Sequence, residues 1–317
     1  MKIYRRLLKY LHPEVTYRIS HILMKYCIIP IEKLCNTNYE VFNTRFKILN
    51  VDIPIPIGVG AGIDKNGELI HIFSKISGFH VVGSVTLHPR SGNRHPRLYR
   101  YVDKFAMLNA MGLPSKGFKY VVARLERLKV NIPIICNIAG FSNSEFIIMS
   151  KILNNIENVK IVEINISCPQ YRGVDLHNSE ILDRLLEDVR SVCRKPILVK
   201  VRPRSLDVRE IVKICEKYSN VGLTISNSFS TITSCMSSGV GGFSGLPIYR
   251  LVKRIVKYVR EFSDIEIVAC GGIFHGKQVY ELLEKYGVSA VQIVTAIAFE
   301  GPYAICRIVK EFLMYYR

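Results

Sequence analysis

The feature that most restricts the fold of this chain is a regular alternation of apolar runs with amphipathic stretches. Eight runs have the pattern of buried β-strands, at residues 54–59, 79–83, 132–138, 161–166, 197–201, 221–226, 265–270 and 290–294. Helical periodicity fills most of the intervals, for example at 178–193, 207–218, 247–262 and 276–286. Buried strands joined by helical crossovers form parallel sheets, and eight of them close a (β/α)8 barrel. The pattern predicts an α/β fold of the TIM-barrel type, with an open doubly wound sheet as the alternative.

A short N-terminal segment differs from this pattern. We predict that residues 1–40 form an amphipathic helical segment and that residues 41–317 form the barrel. A first apolar stripe with helical spacing ends at His12 and Pro13. A second stripe runs through Val15, Ile19, Ile22, Leu23 and Tyr26. Two short basic helices can lie on a membrane surface or cap the core of a soluble protein, and the pattern leaves both open.

The composition excludes several classes of protein. The 317 residues are 49% hydrophobic, which is enough for the core of one large domain. No apolar run reaches the roughly 18–20 residues of a membrane-spanning helix, and Arg and Lys interrupt any early signal-like run. The nine cysteines have no C-x-x-C spacing, so we expect no metal site. We expect a cytoplasmic protein and leave open a peripheral contact of residues 1–35 with the cytoplasmic side of the cell membrane.

The net charge of +18 points to an anionic partner. A nucleic acid, an anionic membrane or an acidic small molecule would each fit such a charge. Lys and Arg are scattered along the chain rather than clustered, which is typical of a solvated basic surface. We therefore expect no nucleic acid as partner.

Polar residues recur where the predicted strands end, which is the edge at which a barrel carries its active site. They are Ser84, Thr86, Asn137, Asn165, Cys168, Lys200, Ser226, Asn227 and Ser228. Each alone could satisfy backbone groups at a strand end. Together they line one rim with amides and hydroxyls, to which Lys65 adds a second lysine, and no carboxylate is among them. Such a rim suits a planar, electron-rich, anionic ligand.

Glycines mark the first and the last two strand ends. The stretch "GVGAGIDKNGE" at 58–68 is not a dinucleotide fingerprint, because Ile63 stands at its sixth position. Small residues there would let a flat ring approach the backbone. Gly271 and Gly272 follow the seventh strand, and Thr295 follows the eighth. Barrels bind phosphate with backbone N–H groups at these last strand ends.

Cys168 lies in the stretch "EINISCPQ" at 163–170, beyond the end of the fourth strand. A cysteine next to a strand is most often a core filler. This one stands in a loop between Ser167 and Pro169, and a free thiol ionises with a pKa of about 8.5 and can then take a proton. No histidine is placed to make it a nucleophile, so a role in proton transfer fits better.

Six motifs identify a family. "AGIDKNGE", "GSVTLHPRSGNRHPRLYR", "NAMGL", "NISCPQ", "GGFSGLPI" and "FEGP" occur in the order and approximate spacing of the dihydroorotate dehydrogenases, which the chain resembles over almost its whole length. "LHPE" near the N-terminus resembles the membrane-associated, quinone-using class. The resemblance implies an FMN-containing (β/α)8 barrel that oxidises dihydroorotate to orotate in the de novo synthesis of the pyrimidine UMP.

The resemblance also implies cofactor contacts. Along the flavin it places Ala61, Gly62, Ile63, Asp64, Lys65, Ser84, Asn137, Asn165, Lys200 and Ser226. Lys200 would bring positive charge to the pyrimidine edge of the flavin ring. The positions on the phosphate side match Gly245, Gly272, Val294 and Thr295, next to Gly271.

For the substrate, the resemblance implies a pyrimidine site and a base. The pyrimidine-binding positions match Asn109, Ala110, Met111, Gly112, Leu113, Asn165, Gln170, Asn227 and Ser228. Lys65 would also meet the orotate carboxylate. Cys168 occupies the position of the catalytic base, which removes the C5 proton while hydride leaves C6 for flavin N5.

Three residues depart from the quinone-using class. That class usually has Ser where this chain has Cys168, and Val294 replaces a Tyr near the acceptor path. Gln170 stands where the family usually has Asn. Arg100 does match an acceptor-side Arg of that class. We favour a quinone as electron acceptor, with fumarate and NAD as the alternatives that the sequence leaves open.

Two other functions compete with this one. A tRNA-dihydrouridine synthase is also an FMN barrel that acts on a pyrimidine, and the basic charge would suit it. It would need an added RNA-binding domain after the eighth strand. A non-enzymatic basic scaffold for membrane or RNA would leave the six ordered motifs unexplained.

Overall fold

The structure is a computed structural model that describes residues 11–26, 46–166, 178–202 and 208–316. Eight parallel strands close into a barrel. In chain order they are β3 (Ile57–Asp64), β4 (His80–Val85), β7 (Ile134–Ile138), β8 (Val159–Asn165), β9 (Ile197–Val201), β10 (Val221–Ile225), β13 (Ile267–Cys270) and β14 (Ala290–Ile293). The prediction of eight barrel strands is confirmed, and the open doubly wound sheet is not.

Helices lie between most of the barrel strands. They are α1 (Pro13–Lys25), α2 (Ile70–Phe73), α3 (Phe118–Glu126), α4 (Asn143–Leu153), α5 (Ser179–Val192), α6 (Val208–Glu216), α7 (Tyr249–Arg260), α8 (Gly276–Tyr286), α9 (Thr295–Glu300) and α10 (Tyr303–Leu313). The apolar stripe of α5 is fully buried at Leu182, Leu185, Leu186 and Val189. The four longest predicted helices are present with ends that shift by no more than two residues, because each carries one such stripe.

A β-hairpin closes the lower end of the barrel. Strands β1 (Phe46–Ile48) and β2 (Val51–Ile53) pair antiparallel. Ile48, Leu49 and Ile53 are buried together with Phe79, which directly precedes β4, and Ile135, near the start of β7. The carboxyl ends of the strands therefore form the open end, where a barrel carries its chemistry.

A second sheet was not predicted from the sequence. Its four antiparallel strands run in the order β11 (Phe229–Ile232), β12 (Val240–Gly245), β6 (Ala106–Asn109) and β5 (Leu98–Tyr101). Two come from the insertion after β4 and two from the insertion after β10. The pair β12 and β6 places Gly242 opposite Asn109. This sheet therefore joins two loop insertions that belong to distant parts of the chain.

Helix α1 confirms the second predicted apolar stripe. His12 caps it, and its side chain accepts a hydrogen bond from the Glu14 N–H. The apolar side chains of Leu11, Val15, Ile19, Ile22 and Tyr26 are 47–67% exposed. The opposite face contacts the barrel domain. Residues 1–10 and 27–40 of the predicted N-terminal segment lie outside the described residues, and within the described ranges no helix is long and apolar enough to cross a membrane.

Candidate active site

The end of β3 turns sharply, and a buried carboxylate holds the turn. The Asp64 carboxylate accepts hydrogen bonds from the N–H groups of Glu68 and Leu69, both at 2.8 Å, and lies 3.2 Å from His80 Nε2. Burial alone would raise the pKa of Asp64, but the contact with His80 and the backbone N–H groups lower it. The side chain of Asp64 is thus turned into the protein. Any cofactor contact of this residue would have to come from its backbone.

Lys65 follows this strand and contacts α1. Its ammonium group donates to the Gly62 carbonyl at 2.7 Å and to the Tyr17 hydroxyl at 3.1 Å. Lys65 is half-buried, as are Ala61, Gly62 and Ile63. The first strand end therefore presents small residues and one cation next to α1.

The predicted polar rim is present where the strands end. The side-chain amide of Asn165, at the end of β8, donates to the Ser84 hydroxyl of β4 at 2.9 Å. Strand register places Asn165 beside Lys200 and Lys200 beside Thr224. Asn137, Asn165, Lys200 and Ser226 are all buried. The barrel thus brings side chains together that are far apart in the sequence.

A carboxylate that the sequence analysis did not select lies directly below this rim. Glu163 is fully buried on β8 and accepts hydrogen bonds from Asn137 at 2.6 Å and Thr224 at 2.5 Å. Gln292 donates to it at 2.7 Å, and the Lys200 ammonium lies 3.5 Å away. Two members of the rim, Asn137 and Lys200, therefore contact one carboxylate, which lies two residues before Asn165 on β8. A charged residue within the apolar run "IVEINI" was the available signal, the same kind of signal by which Lys200 was found.

The charge of Lys200 depends on this neighbour. Burial, the largest influence, lowers the pKa of the Lys200 ammonium. The Glu163 carboxylate acts in the opposite direction. Together with a smaller effect of Cys270, it outweighs burial, so that the pKa of Lys200 is raised above its usual value. Lys200 is therefore a buried cation at neutral pH, available to a ligand that carries partial negative charge.

The residues assigned to the pyrimidine lie on the second sheet and its connections. Asn109 ends β6, and its amide donates to the Gly242 carbonyl at 3.2 Å. A Cβ atom built on Gly242 would lie 2.1 Å from the Ser228 hydroxyl and 3.3 Å from the Asn109 amide nitrogen, so these two side chains flank one glycine. The Asn227 side-chain oxygen accepts from the Ser228 N–H at 2.8 Å. The sheet therefore brings Asn109 next to Ser228.

The segment Ala110–Leu113 runs on from Asn109. Ala110 is buried, and its carbonyl accepts a hydrogen bond from the Asn93 amide at 3.0 Å. Gly112 and Leu113 have positive φ angles of 74° and 55°, so the chain turns tightly here. Met111 is half-buried. This segment is an ordered loop whose position is set by the second sheet.

The residues assigned to the phosphate side also come together. Thr295 begins α9, and its hydroxyl lies 3.2 Å from that of Ser244, the residue before Gly245. Gly272 has a φ of +74°, and a Cβ atom there would lie 2.4 Å from the backbone nitrogen of Tyr249, the first residue of α7. Backbone N–H groups at helix starts favour phosphate. The sets 244–245, 271–272 and 294–295 thus form one corner of the open end.

Two observations indicate that a flat flavin ring can bind at this site. A Cβ atom at Gly62 would meet nothing within 4 Å, so the backbone there faces open space. The side-chain oxygen of Asn137 is buried and has no hydrogen-bond partner among the described residues. A ring nitrogen that donates a hydrogen bond would satisfy it. Lys200 supplies a buried cation that contacts the same carboxylate as Asn137, and the residues present therefore fit a flavin.

Not every predicted site residue can be placed. Cys168 and Gln170 lie outside the described residues, so the assignments of the base and of the substrate amide stay predictions. On the acceptor side, Arg100 donates to the Thr16 hydroxyl of α1 at 2.7 Å. Val294 packs beside Gly60, where an added Cβ would lie 2.6 Å from its Cγ2. Arg100 and α1 thus meet near the start of the second sheet.

Comparison with known sequences finds dihydroorotate dehydrogenases. A family model described as dihydroorotate dehydrogenase matches residues 44–315. A dihydroorotate dehydrogenase (quinone) of Coxiella burnetii is 30% identical, with 96% of this chain and 93% of that protein covered. The catalytic subunit of dihydroorotate dehydrogenase B (NAD(+)) of Streptococcus pneumoniae TIGR4 is 32% identical, with 82% and 88% covered. The relatives therefore include proteins named for two different electron acceptors.

Comparison of structures supports the fold. A ligand-free DHODH from Eimeria tenella superposes with a TM-score of 0.85 at 24% identity, over 96% of this chain and 94% of that one. The family match leaves no support for a tRNA-dihydrouridine synthase or a non-enzymatic scaffold. Because the family model spans most of the chain, and relatives of 30–32% identity align with more than four fifths of it, the chain belongs to the dihydroorotate dehydrogenase family.

Proposed function

We propose that this enzyme oxidises dihydroorotate to orotate, in pyrimidine biosynthesis, with non-covalent FMN at the open end of the barrel. The observation that carries the proposal is the convergence of Asn137, Asn165 and Lys200 next to Ser84 at that end. An unpaired amide oxygen, a cation and an open glycine backbone match the polar edge of a flavin ring. The reaction is that of the dihydroorotate dehydrogenase family, to which the chain belongs. That the flavin is FMN is part of the proposal.

The chain's own residues would bind and orient the substrate. Lys65 would hold the carboxylate of dihydroorotate, and the amides of Asn109, Asn165 and Asn227 would hold the polar edge of the pyrimidine. FMN, when bound, supplies the acceptor for the hydride that leaves C6. Cys168 would take the C5 proton, so that the substrate loses two electrons and two hydrogens in all. Orientation by the amides and the charge of Lys65 would lower the barrier.

We further propose a quinone as the electron acceptor, reached from the side of α1. The support is that α1 contacts Lys65 through Tyr17 and Arg100 through Thr16, while its other face exposes an apolar stripe. Such a helix can rest on the cytoplasmic surface of a membrane, with its apolar face at the edge of the hydrocarbon layer in which a lipid-soluble quinone dissolves. We also propose the division into an N-terminal segment, 1–40, and a barrel domain, 41–317. Parallel turnover assays of one preparation with a quinone, fumarate and NAD decide the acceptor, and the quinone should give the highest rate.

One preparation also tests the cofactor and the reaction. Heat denaturation of the purified protein should release FMN, identified by chromatography. The protein before denaturation should convert dihydroorotate to orotate when an artificial dye accepts the electrons. Release of FAD or of no flavin would overturn the cofactor proposal, and absence of orotate from flavin-loaded protein would overturn the assigned reaction.

A further inference from the structure

The buried carboxylate of Glu163 is the one charged group on the described part of the barrel wall that contacts both rim residues assigned to the flavin edge. It receives a hydrogen bond from Asn137 at 2.6 Å and lies 3.5 Å from the Lys200 ammonium. Its other partners are Thr224 at 2.5 Å and Gln292 at 2.7 Å. These four partners come from β7, β9, β10 and β14. One side chain therefore fixes residues on four strands.

The Lys200 ammonium is held from two sides. Gln292 accepts a hydrogen bond from it at 3.2 Å through Oε1 and donates to Glu163 through Nε2. Glu163, Gln292 and Lys200 therefore form a closed triangle, which leaves the ammonium little freedom to turn. Exposed fractions of 4% for Lys200 and 0% for Glu163 mean that water cannot replace either partner. An unpaired charge at this depth would be strongly destabilising.

We propose that Glu163 is a positioning residue of the flavin site, which keeps Lys200 charged and aims Lys200 and Asn137 at the flavin ring. This inference rests on the proposed function, because it presupposes that FMN binds above the rim. It assigns no direct contact between Glu163 and FMN. Glu163 acts through its two rim partners.

Besides Glu163, the titratable group that faces Lys200 within the described ranges is the Cys270 thiol on β13. Burial, the largest influence, raises the pKa of Cys270, so this thiol is neutral. Cys270 cannot replace the negative charge of Glu163. Loss of Glu163 therefore leaves burial to dominate, and the Lys200 ammonium should lose its proton at a much lower pH than in the wild type.

The test compares FMN dissociation constants of apoprotein variants across pH 5 to 9. The quantity of interest is the ratio of the variant's constant to that of the wild type, because the titration of FMN itself cancels in the ratio. For Glu163→Gln we expect the ratio to rise with pH by roughly 10- to 100-fold, the worth of one hydrogen bond from a charged group. A merely structural role would give a ratio that does not change with pH.

Two further variants separate charge from hydrogen bonding. Thr224→Val removes one hydrogen bond to Glu163 and leaves every charge in place, so its ratio should not change with pH. Glu163→Gln combined with Lys200→Gln removes both charges. That double variant should bind FMN weakly, but with a ratio that is again independent of pH. A ratio that rises with pH in either of these two variants would overturn the inference.

Unfolding of the apoprotein gives a readout that needs no cofactor. In Glu163→Gln the folded state should release the Lys200 proton while the unfolded state keeps it. The free energy of unfolding of Glu163→Gln, relative to that of the wild type, should therefore rise from pH 5 to pH 9. If Glu163→Gln does not fold, the double variant should still fold, because it buries no unpaired charge. A double variant as unstable as the single one would overturn the inference.

Different results would contradict the proposed function and the role of Glu163. Wild-type protein that does not bind FMN would overturn the proposed function. Wild-type protein that binds FMN and oxidises dihydroorotate, together with a pH-independent ratio for Glu163→Gln, would overturn only the role of Glu163.

Discussion

The ammonium group of Lys65 lies 3.1 Å from the hydroxyl group of Tyr17 and 4.7 Å from the centre of its ring. Lys65 follows the first barrel strand, whereas Tyr17 belongs to α1. The N-terminal helix thus contacts the cation that we assign to the substrate carboxylate. Helix α1 is therefore in a position to influence the dihydroorotate half of the reaction as well as the acceptor half.

Tyr17→Phe should weaken orotate binding about 2- to 10-fold, because it removes one hydrogen bond to Lys65 and keeps the aromatic ring. Perturbation of the flavin absorbance by orotate measures the dissociation constant. Thr16→Val is the matched control, since it removes the neighbouring hydroxyl, which contacts Arg100 and not Lys65. Equal orotate affinities of wild type and Tyr17→Phe would show that this contact has no part in substrate binding.

The exposed stripe of α1 should bind membrane. Replacing Ile19 and Ile22 with Ser should reduce flotation of the protein with vesicles of anionic lipid, because these side chains are 51% and 52% exposed on one face. The same replacements at Ile148 and Ile152 on α4 are the control, with exposures of 44% and 40%. Flotation should be unchanged in the control. Equal flotation of both double variants and the wild type would show that the exposed stripe of α1 does not bind membrane.

Glu68 attaches α1 to the barrel, and its ionisation sets a pH dependence. The carboxylate accepts hydrogen bonds from Lys25 of α1 and from Lys116, both at 3.0 Å. Burial alone would raise the pKa of Glu68, but the two lysines lower it from 4.5 to about 2. Because the folded pKa is the lower one, ionised Glu68 stabilises the fold above pH 4.5, and this contribution is lost as the pH falls toward 2.

Glu68→Gln should therefore lower the free energy of unfolding by about 2 kcal/mol at pH 7, with a difference from wild type that shrinks below pH 4.5. Urea unfolding at a series of pH values measures it. Glu210→Gln, in the exposed pair with Lys213, is the control and should change little. A loss of stability that is the same at pH 7 and pH 3 would show that the charge of Glu68 is not the cause.

Cys168→Ala should slow the reduction of bound flavin by dihydroorotate by about 10²–10⁴-fold, the usual worth of a positioned proton-transfer group. Orotate affinity should change little, because Lys65 and the amides carry it. Cys168→Ser should keep part of the activity, more at high pH. Anaerobic stopped-flow measurement of the flavin-loaded variants decides between this role and simple space filling. A rate for Cys168→Ala within about threefold of wild type would refute the assignment.

The barrel was predictable because its strands are buried on both faces and are therefore continuous apolar runs. The hairpin β1–β2 and the four-stranded sheet were not, since strands such as β1 (FKI), β5 (LYRY) and β11 (FSTI) are partly exposed and do not form continuous apolar runs. Gly242, the partner of Asn109 on β12, is also 133 residues away in the chain.

The site was predictable where a strand ends in a polar residue, as at Asn165 and Lys200. Glu163 interrupts an apolar run just as Lys200 does, but its partners could not be predicted, because they lie as far as 129 residues away in the chain. The same holds for the contact between Lys65 and Tyr17. Contacts of this kind depend on how the barrel closes and on where α1 lies against it.

The central claim is that a flavin bound at the open end of this barrel takes two electrons from dihydroorotate. Anaerobic titration of the purified, flavin-loaded protein with dihydroorotate tests it most directly. We predict that the visible flavin absorption bleaches and that one orotate forms for each flavin reduced. Flavin absorption that stays unchanged at saturating dihydroorotate, in protein that is fully loaded and folded, would contradict it.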